Sequence, residues 1–163
     1  MDFAAHTFSI ESLGALAQAS AAINSTLDLQ VVLEHIAKHA AHVARAEAAS
    51  VLTFDELRNK LIFEAAFGER SAGLVGREFA ADLGIAGRVL RTGKPESVVD
   101  VTHDPSFFPG IDRLSQFHTR GLMAAPMVYQ SRVIGVVEVL NRLDGGAFDE
   151  VDLELLRVFA NLA

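Results

Sequence analysis

Residues 133–142 read Val-Ile-Gly-Val-Val-Glu-Val-Leu-Asn-Arg. Two-residue alternation puts Val133, Gly135, Val137 and Val139 on one face of an extended strand and Ile134, Val136, Glu138 and Leu140 on the other. Both faces are apolar, so a sheet containing this strand needs cover on both sides. A single carboxylate, Glu138, interrupts the second face. A carboxyl among apolar neighbours must be paired, hydrogen-bonded or turned toward a cavity, unless it sits at the solvated rim of a strand end.

The flanking sequence supplies partners for this strand. Leu122 to Tyr129 reads as a second strand, joined to the first by a tight turn at Gln130 to Arg132. Pro126 within it has no N–H to give a ladder, which argues for an edge or a bulge there. Ala48 to Phe54 and Leu61 to Phe67 form a hairpin across the polar Asp55 to Lys60, and Ser97 to Val99 makes a brief strand. Asp28 offers an N-cap for a helix through about Arg45, in which Val32, Leu33, Ile36, Ala40 and Val43 form one apolar stripe. A shorter helix over Leu83 to Arg91 is stopped by Gly93 and Pro95, and another begins at Asp149 and meets no stop signal. Residues 8–23 are alanine- and leucine-rich and read as a leading helix. The expected architecture is α+β: a central antiparallel sheet of about five or six strands, with the terminal helices on one face. The loops and short helices from Gly84 to Thr119 cover the other. Strand order stays open.

At 163 residues, half of them hydrophobic, the chain can bury one good core. Twenty-one acidic against 14 basic side chains give a formal charge of −7, which argues against a nucleic-acid partner. No apolar run approaches the ~18 residues of a membrane span, and the first basic residue is Lys38, too late for a secretory leader. A cytoplasmic protein without a membrane partner is the expectation. With no cysteine, disulfides, thiolate metal sites and cysteine catalysis are excluded. His35, His39 and His42 share a helix flank, yet Glu34 and Glu47 point away from it, so the flank reads as a solvated or partner-facing edge and no metal is expected. The Gly-x-Ser-x-Gly elbow is absent and no catalytic constellation stands out, so no enzyme activity is expected.

Several residues have the chemistry of a binding site. Ser50 shares a strand face with Leu52 and Phe54; its hydroxyl either meets a ligand or bonds its own backbone. Asp112, Ser115 and Thr119 lie at three- and four-residue spacing, which places them on one side of a short helix; alternatively Asp112 merely caps that helix. Free amides at the helix start near Asp82, with Gly84 and Gly87 allowing close approach, suit an anion; the same glycines equally serve tight packing. An ion pair between Arg142 and Asp152 would pin the last strand to the last helix.

The order of these features resembles the GAF family, a small sensory fold with a PAS-like sandwich. It is found in phytochromes, cyclic-nucleotide phosphodiesterases, histidine kinases and nucleotide cyclases. The resemblance covers residues 25–163, leaving 1–24 as a connecting or dimerising helix. Val137 to Arg142 is similar to the run around a purine-facing glutamate in the cyclic-nucleotide-binding members. Ile111, Asp112, Ser115, Phe117, Thr119 and Arg120 resemble their pocket lid, although Gln116 and His118 replace the usual glycine and arginine. Asn141, Arg142, Phe148 and Asp152 match a family signature, with arginine for lysine and Leu153 where a glutamate is usual. By resemblance, Ser50, Phe67, Ile85, Ala86, Asp112, Ser115, Thr119 and Glu138 would line a ligand pocket, Phe67 stacking on a purine.

The resemblance implies a signal-transduction sensor that binds a small ligand, cyclic AMP or cyclic GMP first among them, requires no cofactor and relays a conformational change through its terminal helices. The alternative is a dimerisation and relay module with a vestigial pocket. Without cysteine, neither bilin attachment nor the chemistry of GAF-type methionine sulfoxide reductases is open to it. Val151, Leu155, Val158 and Leu162 form a stripe suited to a homodimer, and Leu153, Leu156 and Ala160 a second flank for the sheet. The last helix is expected to continue into an effector domain.

Overall fold

The computed structural model describes residues 29–69, 71–115 and 117–161, and of residues 113–115 the backbone alone. The expected leading helix, the Asp28 cap and Leu162 lie outside the described residues.

Helix α1 spans 29–44. There follow β1 (Ala46–Asp55), β2 (Lys60–Phe67), β3 (Glu78–Ala80), α2 (Gly84–Thr92), β4 (Glu96–Val98), a 3-10 turn (Val101–His103), α3 (Gly110–Ser115), β5 (Leu122–Tyr129), β6 (Arg132–Arg142) and α4 (Glu150–Ala160). The six strands make one sheet in the order β3-β2-β1-β6-β5-β4, with every neighbouring pair antiparallel. The short β3 sits in glycine-rich sequence and carries no alternation from which to expect it. Pro126 lies beyond the end of β4, which pairs β5 only from Leu122 to Ala124, and a bulge follows it between Met127 and Val128. On the β4 side, therefore, its missing N–H leaves no ladder bond unmade.

The doubly apolar β6 is covered as its alternation requires. Val137 and Val139 join the core under α1 and α4, with Leu33, Ile36, Ala40, Leu156 and Ala160. Val136 joins a second core on the opposite face with Ile85, Ala86, Val89 and Val101, and Leu140 packs against it. Burial of each large aliphatic side chain contributes about 1.5–3 kcal/mol to this two-sided arrangement. The stripe of α1 is rotated from expectation: Ala37, Ala41 and Ala44 are buried while Val43 is 40% exposed. Small alanines bring α1 close to the sheet, which displaces the bulkier valine to its edge.

A bulge in β2 controls the faces. Val51 pairs Ala65 and Leu52 pairs Phe63, so Glu64 is one residue too many. Leu61 and Phe63 consequently face the α2 side, whereas Ala65 and Phe67 pack on the helical side. At the C-terminal end, Asp149 and Asp152 cap α4 reciprocally: each carboxylate accepts from the other's backbone N–H, at 2.8 and 2.9 Å.

Candidate functional site

The second core opens into a cavity between β1, β2, β3 and β6, the start of α2, and the segment 107–119. It takes in about 730 Å³ of space, open solvent at its mouth included. Phe63, Phe79, Phe107, Phe108 and Phe117 contribute aromatic rings to its wall. Ser50, Ile85, Ala86, Asp112, Thr119 and Glu138 all border it. The side chain of Ser115 lies outside the described residues.

Phe67 also borders the cavity, and its ring stands edge-on to His42 of α1 at 5.2 Å. One expectation changes. Asp112 does not cap α3, because the helix begins two residues earlier at Gly110. Its carboxylate instead accepts from Thr119 N at 2.8 Å and Thr119 Oγ1 at 2.7 Å. Thr119 itself is past the end of α3 and reaches the cavity through the chain's return toward β5. Asp112 thus fastens the lid to the sheet.

Glu138 stands in β6 between Ser50 of β1 and Ala124 of β5. It is half-buried, and the surface it retains faces the cavity, so the rim reading of this position fails. Loss of water pushes its carboxyl up to about 7, and the nearby Asp112 carboxylate acts in the same direction. Among the described residues nothing hydrogen-bonds it.

Helix α2 starts at Gly84, whose φ of +73° suits glycine. The preceding Leu83 provides no side-chain cap. Phe108 lies over this end: a Cβ on Gly84 would stand 3.3 Å from that of Phe108. The Phe108 ring also meets Phe79, with centroids 5.9 Å apart. No lysine or arginine lines the cavity among the described residues.

Two supports hold the lid in place, of which sequence reasoning missed the one at Arg88. Asn141, 1% exposed, uses its whole amide. Oδ1 accepts from Arg120 N at 2.6 Å and Gly121 N at 3.2 Å, while Nδ2 donates to His118 O at 2.7 Å and Glu47 Oε2 at 2.9 Å. The amide fixes the chain on both sides of Thr119. Arg88 of α2 forks between Glu96 and Asp104, each at 2.7 Å, tying β4 and the base of the lid together. This contact holds the Asp104 carboxyl below the usual carboxylate range. Asn141 was visible as a signature residue; the Arg88 network had no local signal. Arg142 and Asp152 do pair, at 3.3 Å, and Phe148 is buried beneath α4.

The family model described as GAF domain matches residues 28–163. In sequence, the chain is 41% identical over 76 residues to the dual 3′,5′-cyclic-AMP and -GMP phosphodiesterase 11A of Takifugu rubripes, covering 46% of this chain and 8% of that protein. It is 31% identical over 85 residues to the rod cGMP-specific 3′,5′-cyclic phosphodiesterase subunit alpha of Bos taurus, covering 52% and 10%. The chain therefore spans a tenth or less of the length of these relatives. In structure, residues 122 to 287 of a methyl-accepting chemotaxis protein superpose with a TM-score of 0.75 at 22% identity, covering 92% of this chain and 91% of that one. The GAF domain of an Acinetobacter phosphoenolpyruvate-protein phosphotransferase gives 0.71 at 19%, covering 95% and 89%. At such identities the structural likeness establishes the fold. Among the described residues no helix is long and apolar enough to cross a membrane.

Proposed function

Because the chain belongs to the GAF family, we propose that it is the sensory domain of a signalling protein whose cavity receives a purine cyclic nucleotide. The observation that carries this reading is the cavity: phenylalanines, the Glu138 carboxyl and the start of α2, which has no side-chain cap, all border it. Rings suit a planar base, a carboxyl suits its hydrogen-bonding edge, and helix amides suit a phosphate where no basic side chain among the described residues lines the wall. The sequence likeness to phosphodiesterases named for cyclic AMP and cyclic GMP supports the same ligand class. Binding would shift Phe108 and the Asp112–Thr119 contact, and the change would leave through α1 and α4.

Thermal unfolding with each cyclic nucleotide tests this. Ligand at ~100 times its dissociation constant stabilises by about 2.7 kcal/mol, and Thr119→Ala and Glu138→Ala diminish the shift. No shift with either nucleotide at millimolar concentration would refute the reading and favour the relay module.

The terminal helices form a homodimer in this proposal. Val151 is 68% exposed and Val43 40%, and Leu155 and Val158 lie half-buried outside the core. We place an effector domain adjoining them.

A further inference from the structure

Only two of the described residues bordering the cavity carry a carboxyl group, and they are not equivalent. Asp112 is occupied by the backbone N–H and hydroxyl of Thr119. Among the described residues Glu138 has no hydrogen-bond partner. Its strand neighbours are Ser50 and Ala124, and α2 offers it Ile85 and Ala86, since Arg88 is held by Glu96 and Asp104. Arg120 faces Glu47 and the Arg142 carbonyl, and His118 is exposed. Among the described residues, the one charge acting on Glu138 from an opposing element is therefore that of Asp112. What Glu138 presents to a ligand depends on its own proton.

We propose that Glu138 sets the cavity's preference between purines through its protonation state: the carboxylate takes the guanine edge and the carboxylic acid takes the adenine edge. This rests on the cyclic-nucleotide reading above. Guanine offers two adjacent donors, its ring N–H and its amino group, which match two acceptor oxygens. Adenine offers one donor beside one acceptor, which match the C=O and O–H of the neutral acid. The wrong pairing sets lone pair against lone pair, or proton against proton, and leaves buried polar groups unmatched. Guanine capture then releases a proton and adenine capture takes one up. The dry site, with Asp112 opposite, brings this exchange to about pH 7.

For two ligands that require opposite protonation states of one group, the ratio of affinities changes about tenfold per pH unit. Between about pH 6 and 8, where neither purine titrates, the preference moves toward cyclic GMP by roughly 100-fold. Dissociation constants of both nucleotides, measured across this range for wild type and Glu138→Gln, test the idea. Glutamine keeps a fixed donor and acceptor, so the variant should favour cyclic AMP at every pH with a flat ratio. Its thermal unfolding confirms that it is folded. Calorimetry in buffers of different ionisation enthalpy should show proton release with cyclic GMP and uptake with cyclic AMP. Binding with a pH-independent preference in wild type overturns the proposal and leaves the ligand reading intact. A slope that persists in Glu138→Gln overturns the assignment to Glu138. Binding of neither nucleotide at any pH defeats the ligand reading and this proposal together.

Discussion

Replacing Asn141 by alanine should cost more stability than a polar substitution near a sheet end ordinarily does. The amide of Asn141 satisfies the backbone N–H groups of Arg120 and Gly121 and the carbonyl of His118. Losing three such bonds costs roughly 3 kcal/mol at about 1 kcal/mol each, and more for any group left dry. The contact to Glu47 is omitted from this sum because its carboxylate is part-exposed and water can replace the amide. Asn141 also has a φ of +56°, in the left-handed region where asparagine is tolerated better than alanine, which adds on the order of 1 kcal/mol. The expected loss is thus about 4 kcal/mol. Asn141→Gly separates the contributions: it relieves the backbone conformation but still lacks the amide, and should lose about 3 kcal/mol. Urea denaturation at 25 °C, with unchanged m-values, reads both differences. The same loss lowers the melting temperature by about 8–16 °C for a domain of this size. Because the amide brackets Thr119, ligand affinity should fall with it. Losses below about 1 kcal/mol in both variants would show that water replaces the amide freely, and the anchoring role would be wrong.

Gly87→Ala should destabilise the fold by at least ~1–3 kcal/mol, since a Cβ there would stand 2.7 Å from the Ala81 carbonyl oxygen, and denaturant midpoints check it. Phe108→Ala should raise the ligand association rate in stopped-flow measurements, because its ring packs on Gly110 and Phe79 at the border of the cavity; an unchanged rate would place the entry path elsewhere. The pH dependence of folding follows from Glu138, whose folded carboxyl is raised from 4.5 to about 7. The folded state therefore holds a proton that the unfolded chain has released, so the stabilisation is present below about pH 4.5 and is lost as pH rises through 7. Relative to Glu138→Gln, the wild type should lose roughly 2–3 kcal/mol between about pH 5 and 8, and denaturation at the two values measures it. Light scattering at micromolar concentration should report a dimer that Val158→Glu dissociates; a monomeric wild type would assign the half-exposed face of α4 to the domain's own packing.

Local periodicity was enough to determine the fold class. The alternation of β6, the stripes of α1 and α4 and the hairpin punctuation each depend on neighbours within a few residues, and each element formed close to where its pattern lies. The capacity of Glu138 to be exceptional was equally legible, because a carboxylate on an apolar strand face is anomalous in any sheet. What it faces was not. Its dry surroundings and its lack of a partner depend on segments brought together from β1, α2 and the lid, and on Thr119 having taken Asp112. Phe67 shows the same limit from the other direction. Alternation put it with Phe63, and a single extra residue, Glu64, sent the two rings to opposite faces. Bulges are decided by how two strands pair, and neither strand records the register alone. The supports at Asn141 and Arg88 are likewise tertiary: Asn141 reaches Glu47 across 94 residues of chain, and Arg88 joins carboxylates 8 and 16 residues away. Sequence pattern encodes which faces must be buried, whereas the pairing of particular polar groups is settled only when the strands and lid close around them.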